Sequence, residues 1–240
     1  MGKLTGGIDN DMIGRLGNHV GRRVKGENII AMRPAKSNKP PTALQYDQRL
    51  KFGLFTSWLR KALPVLEVGY QHYESNMSAY NVAVSENMKH AITGVSPNFT
   101  ITYPMARFSK GVLRELSEVE FVAAAAAVIE FSWKSVIGQS YSASTDQVGV
   151  VVYNPNQDEF VMLMSAAVRS AESYDLHLPL DWSGDVVHSW MIAVSANGKM
   201  VSDTTYVGQV NKAQNLGRVI YQERVKSISM EEGVRFQEWV

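Results

Sequence analysis

The chain has 240 residues, 45% of them hydrophobic and 20% charged, and it has no cysteine. That is enough apolar material for a core without staples, and it excludes disulfides, thiolate metal sites and a cysteine nucleophile. Net charge is +1, but residues 1–61 carry twelve Lys and Arg against four acids, a local +8, while the rest of the chain carries −7. A basic end and an acidic body attract one another between copies, and the basic end also suits nucleic acid or anionic lipid. No apolar run approaches the ~18 residues of a membrane span. The first residues lack the apolar stretch of a secretory signal, so the chain reads as made in the cytoplasm, with release as part of a particle left open.

Residues 1–41 read as a glycine-rich basic β-arm and linker, with seven of the 18 glycines at positions 2, 6, 7, 14, 17, 21 and 26. Val20, Val24, Ile29 and Ile30 predict two short strands around a turn at 25–28. A two-stranded ribbon is marginal alone in water, so the arm is expected to pair with its own body or with a neighbouring subunit. Residues 37–41, Ser-Asn-Lys-Pro-Pro, form a stiff polar linker.

Residues 42–97 predict two helices. Thr42 and Gln45 make a capping box for the first. Leu50, Leu54, Trp58 and Ala62, widened by Phe55 and Leu59, form its apolar stripe, and Pro64 ends or kinks it. The second runs over 74–92 with Met77, Tyr80, Val84 and Met88 on its apolar face and Gly94 as a stop. From residue 98 the period changes to two. Strands are predicted over 99–103, 107–113, 119–123, 127–133, 147–153, 159–164, 173–178, 186–195 and 200–208, with turns at 154–156 and at Asn197-Gly198. Short strands with regular turns predict an antiparallel sandwich or barrel over 98–208. Residues 209–240 form a C-terminal extension, in which Leu216, Val219 and Ile220 suit either a strand or a short helix.

Little in the chain points to a reaction. The five histidines show no metal-ligand spacing, and His188, among apolar residues on a predicted strand, reads as a cross-strand structural group. There is no G-x-S-x-G pentapeptide. Asp9, Asp11 and Gly14 begin like a calcium loop, but Ile13 and Val20 stand where oxygen ligands are needed. Gly14, Gly17 and Gly21 are misspaced for a phosphate loop and precede a strand, not a helix. Asn76 and Asn98 head sequons that have meaning only in a secreted chain. Residues 181–185, Asp-Trp-Ser-Gly-Asp, suit a sugar or cation through Asp181, Trp182 and Asp185, or else Trp182 packs on the sandwich edge while the acids serve the turn. The polar loop at 138–145 is a second candidate. Arg22, Arg23, Lys25 and Arg33 suit phosphates, yet the arm lacks interleaved aromatics for base stacking.

Two stretches resemble a known family. Gly17, Asn18, Val20, Gly21, Lys25, Gly26, Arg33, Pro34, Thr42, Gln45, Gln48, Arg49 and Phe52 match the opening G-N-x-V-G, K-G, R-P, T-x-x-Q-x-x-Q-R-x-x-F pattern of an uncharacterised family found mostly in Bacteroidota. A second match lies within 151–208, through Asn154-Pro155-Asn156, Ala166 to Ser170 and residues 178–208. Val24 departs from the family's usual Trp, and residues 209–240 run past its usual end at Val207-Gly208. The family is a domain of unknown function, so the resemblance implies no activity, cofactor or catalytic residue. It implies an immunoglobulin- or fibronectin-like C-terminal half.

The fold expected is therefore mainly β (α+β): a β-arm and two helices, then an antiparallel immunoglobulin/fibronectin-like sandwich. The function expected is that of a non-enzymatic subunit that self-assembles into a tube, fibre, shell or phage-like particle. Its contacts are the arm residues Arg22, Arg23, Val24, Ile29, Ile30 and Arg33, adding a strand to a neighbour. The alternatives are a module that binds a glycan or protein through the sandwich loops, and a nucleic-acid accessory protein working through the arm.

Overall fold

Val24 pairs directly with Glu27, so a hairpin closes around Gly26. Gly26 takes φ +82°, a conformation that L side chains avoid. The computed structural model in which this is seen describes residues 2–4, 12–24, 26–35, 39–72, 77–125, 127–136, 138 and 140–211. Asp9, Asp11, Asn76 and the predicted element near Leu216 lie outside them.

The chain divides into two units, Met1–Ala43 and Leu44–Val240. In the first, β1 (Gly2–Leu4), β2 (Gly14–Leu16), β3 (His19–Val24) and β4 (Glu27–Met32) form an antiparallel sheet in the order β1-β4-β3-β2. The arm thus builds four strands where two are read from sequence, and the turn is shorter than 25–28. The Arg33 N–H closes the sheet onto the Asn18 carbonyl at 2.7 Å. The unit is thin. Gly21, Asn28 and Ile29 are buried, whereas Ile13, Leu16, Val24 and Met32 stay exposed.

The second unit is built on one sheet covered on both sides. β9 (Gln147–Asn154), β10 (Glu159–Val168), β12 (Val186–Val194) and β13 (Thr205–Asn211) run in the order β10-β9-β12-β13, all antiparallel. Facing them is a three-stranded sheet, β11-β8-β7, made of β7 (Ser117–Ala125), β8 (Val128–Lys134) and β11 (Ser173–His177). Counted within the sandwich, the first, second and fifth strands form one sheet and the third, fourth, sixth and seventh form the other. This is a fibronectin-like division, and the fold is mainly β as expected.

Between the sheets lie Phe121, Ile129, Phe131 and Trp133 against Val148, Val150, Val152 and Met191. On the opposite face of the larger sheet, Val151, Tyr153, Trp190 and Ile192 join a second core with the helices. Hence β9 and β12 are buried at almost every position. Their near-continuous apolar runs are the signature of a strand covered on both faces.

Three helices supply that third layer. α1 (Ala43–Arg60) starts next to Thr42 and buries Phe55, Trp58 and Leu59. Pro64 then breaks the helix. It falls in the first turn of α2 (Leu63–Gly69), where its missing N–H would have had no helical partner. α2 ends close to a neighbouring strand of backbone, and a Cβ on Gly69 would run into the Phe108 carbonyl. α3 (Ala79–Asn87) is shorter than the 74–92 read from sequence. Ser78 caps it by accepting from the Asn81 N–H at 3.3 Å. Residues 92–95, read as its end and stop, instead form β5 (Ile92–Val95), which pairs with β6 (Asn98–Ile101) in a hairpin of its own.

The strand expected over 107–113 does not form, because other groups satisfy that backbone. The N–H groups of Phe108 and Ser109 donate to Thr204 Oγ1 at 2.9 and 2.8 Å, and that of Gly111 donates to Asp203 Oδ1 at 3.0 Å. The same side chains delay β13 to Thr205, against the 200 read from sequence. Buried Asn87 binds the Arg107 carbonyl and N–H at 2.8 and 2.7 Å, fixing α3 to this segment.

A buried ion pair closes one end of the sandwich. Arg169, 1% exposed, donates to Asp146 Oδ2 at 3.2 Å and to the Arg114 carbonyl at 2.7 Å. Its own carbonyl accepts from Trp133 Nε1 at 2.8 Å. Removing one partner leaves a buried charge uncompensated. Arg169→Ala should therefore lower the unfolding free energy by about 3–5 kcal/mol in urea denaturation, and Arg169→Met with Asp146→Leu should recover most of it.

Candidate functional site

The arm residues singled out from sequence lie on the paired strands β3 and β4. Arg22 faces Ile29 across the ladder, Arg23 faces Asn28, and Ile30 faces Gly21. Period two then puts Arg22, Val24 and Ile29 on one face and Arg23 and Ile30 on the other. Arg22, Arg23, Val24 and Arg33 are exposed, Ile29 is buried and Ile30 is half-buried. The sheet thus presents cations and apolar groups together.

The candidate loop at 181–185 is not presented as an open site. Trp182 is 1% exposed and belongs to the core between the sheets. The Asp185 carboxylate takes hydrogen bonds from Asn154 Nδ2 at 2.8 Å and Asn156 Nδ2 at 2.6 Å, so it holds the β9–β10 turn. Asp181 remains at the surface. This is the packing alternative weighed for that loop. The two asparagines are those of the turn at 154–156.

His188 lies on β12. Its Nδ1 shares a 2.8 Å hydrogen bond with the Tyr206 hydroxyl on the neighbouring strand, and its ring lies 4.3 Å from that of Tyr103. Among the described residues, no three histidine or acidic side chains come together as a metal site.

Sequence reasoning missed a polar bridge at the end of α1. Lys61 Nζ donates to the Asp158 carbonyl at 2.8 Å and forms an ion pair with its carboxylate. Asp158 closes the β9–β10 turn at φ +53°, and its Oδ1 accepts from the Tyr153 hydroxyl at 2.9 Å. Lys61, and then Tyr153, hold the Asp158 carboxyl below its usual range. Burial, and then the Asp158 bond, push the Tyr153 hydroxyl up. Both shifts move away from neutrality.

Two hollows flank the bridge, one of about 500 Å³ bounded by Trp58, Phe99 and Tyr103, the other of about 430 Å³ bounded by Gln157, Phe160 and Met162. The only early signal for this site was Trp58 in the apolar stripe. Lys61 and Asp158 are 97 residues apart, and no local pattern joins them.

The outer face of the three-stranded sheet is acidic. Glu130 of β8 stands directly opposite Asp175 of β11, and Glu120 of β7 lies two residues along the ladder, opposite Ser132. Like charges directly opposed across a ladder cost stability. Glu118 is paired with Lys134 at 3.2 Å on the same edge, and Glu172 is close by, around a hollow of about 190 Å³.

Burial lowers the His188 pKa from 6.5 to about 4, so the folded chain keeps this ring neutral where the unfolded chain takes up a proton. Its stabilisation is whole above pH 6.5 and is lost as pH falls toward about 4. Burial shifts His90 in the same direction. The urea midpoint should therefore fall across that window, and His188→Gln should flatten part of the fall.

Comparison with known proteins places these features in a family. The model of DUF6266, a family of unknown function, matches residues 11–208. The match takes in both stretches that carry the sequence resemblance and the region between them, and it ends at Gly208. No curated protein matches the chain.

Proposed function

We propose that this chain, which belongs to the DUF6266 family, is a non-enzymatic structural subunit whose basic β-arm docks on the acidic outer sheet of another copy. The observation that carries this reading is the separation of charge onto two surfaces. The first unit, residues 1–43, holds a net +5 and the remainder −4. The described arm exposes Arg22, Arg23 and Arg33 beside Leu16, Val24 and Met32. The described body sets Glu130 against Asp175 on an open sheet face.

Each surface carries a cost that a partner would relieve. Exposed apolar side chains on short strands are poorly hydrated, and opposed carboxylates repel. Arm-to-body contact joins unlike surfaces, so it propagates head to tail into a ring or an open filament. No helix among the described residues is long and apolar enough to cross a membrane.

The test is light scattering on the full-length protein, whose single-chain mass is 26.7 kDa. Assemblies of several chains are expected at low salt, and Arg22→Glu with Arg23→Glu should dissolve them. Adding Glu130→Lys with Asp175→Lys should restore them in part. A single-chain mass under all conditions, or arm-dependent binding of a mixed-sequence RNA with no self-association, would overturn the reading.

A further inference from the structure

We infer that the groove crossed by the Lys61–Asp158 bridge binds a neutral oligosaccharide, with one sugar ring in the hollow on each side of the pair. The larger hollow, about 500 Å³, lies within the ~300–1,000 Å³ typical of small-molecule sites. Its walls are unusually rich in ring faces. Phe99, with the Lys51 ammonium 4.7 Å from its ring centre, and Tyr103 are part-exposed, and behind them Trp58 sits among six aromatic neighbours. Such walls suit a ligand with an apolar face.

The polar groups then narrow the chemistry. Lys61 spends its donors on one residue, at the Asp158 carbonyl and carboxylate, which leaves capacity for a third bond. The Asp158 carboxylate already accepts from Tyr153 and Lys61 and has lone pairs to spare. Donors and acceptors are thus mixed at one place, as hydroxyl groups require.

Lys61 and Asp158 neutralise one another, which favours a ligand without net charge. A neutral carbohydrate both donates and accepts and has an apolar ring face, so it fits these groups. The second hollow, about 430 Å³, shares Lys61 and Asp158 with the first and adds Phe160 and Gln157. The bridge therefore lies across the middle of a groove, which suits a chain of sugars better than a single ring. This inference is independent of self-assembly, because it uses none of the arm or outer-sheet residues.

The experiment is saturation-transfer NMR on the full-length protein with five neutral tetrasaccharides: cello-, malto-, xylo-, manno- and chitotetraose. Tetragalacturonate serves as the anionic comparison. At least one neutral probe should bind and tetragalacturonate should not. Asp158→Asn and Lys61→Met, both at a largely exposed pair, should keep the unfolding temperature and weaken binding about tenfold or more. Failure of all five probes, binding that survives Asp158→Asn and Lys61→Met, or a preference for tetragalacturonate would each overturn the proposal.

Discussion

The burial of β9 and β12 on both faces is the constraint from which the rest of the second unit follows. A strand covered on one side alternates apolar and polar residues. These two strands bury nearly all of theirs, Val148, Val150 and Val152 toward one core and Val151, Tyr153, Trp190 and Ile192 toward the other. A two-layer sandwich would leave the second set in water. The helices exist to cover them, and Trp58 is where the cover is thickest. Its ring meets those of Phe55, Tyr103, Phe108, Tyr153, Phe160 and Trp190 within 6.5 Å. Such a cluster combines a large buried area with favourable tilted and edge-on geometries.

That cover also creates the groove. α1 has to stop where the sheet ends, and Pro64 prevents it from continuing. Lys61 is left at the helix end, level with the turn between β9 and β10. Asp158 then meets it as a consequence of two unrelated boundaries, a proline break and a left-handed turn residue. The polar bridge and the hollows beside it are therefore by-products of how the third layer is trimmed. The residues that line them serve the core and the cleft together, as Trp58 and Tyr153 show.

The arm rests on a different balance. Among the described side chains of β2, β3 and β4, Asn28 and Ile29 alone are buried, and Gly21 has none. The arm's cohesion is mostly main-chain hydrogen bonding, which contributes only modestly in water. Surface cations and exposed apolar groups are what its described strands present. In the second unit, the outer face of the three-stranded sheet carries carboxylates.

Much of this was determined by sequence alone. The period-two runs after residue 98, the apolar stripe of α1, the break at Pro64, the arm hairpin and the charge division all follow from local spacing and composition, because each depends on neighbours within a turn or a strand. Tertiary structure decided the remainder. The run 107–113 has the composition of a strand, but Thr204 and Asp203 capture its N–H groups from almost a hundred residues away. Trp182 and Asp185 carry the residue types of a ligand loop, but the sheet spacing buries one and Asn154 and Asn156 occupy the other. Lys61 and Asp158 have nothing local to announce them. Sequence determines what a segment can form, whereas the partners that satisfy its polar groups are fixed only when distant segments meet, since a donor or a carboxylate is indifferent to where along the chain its partner comes from.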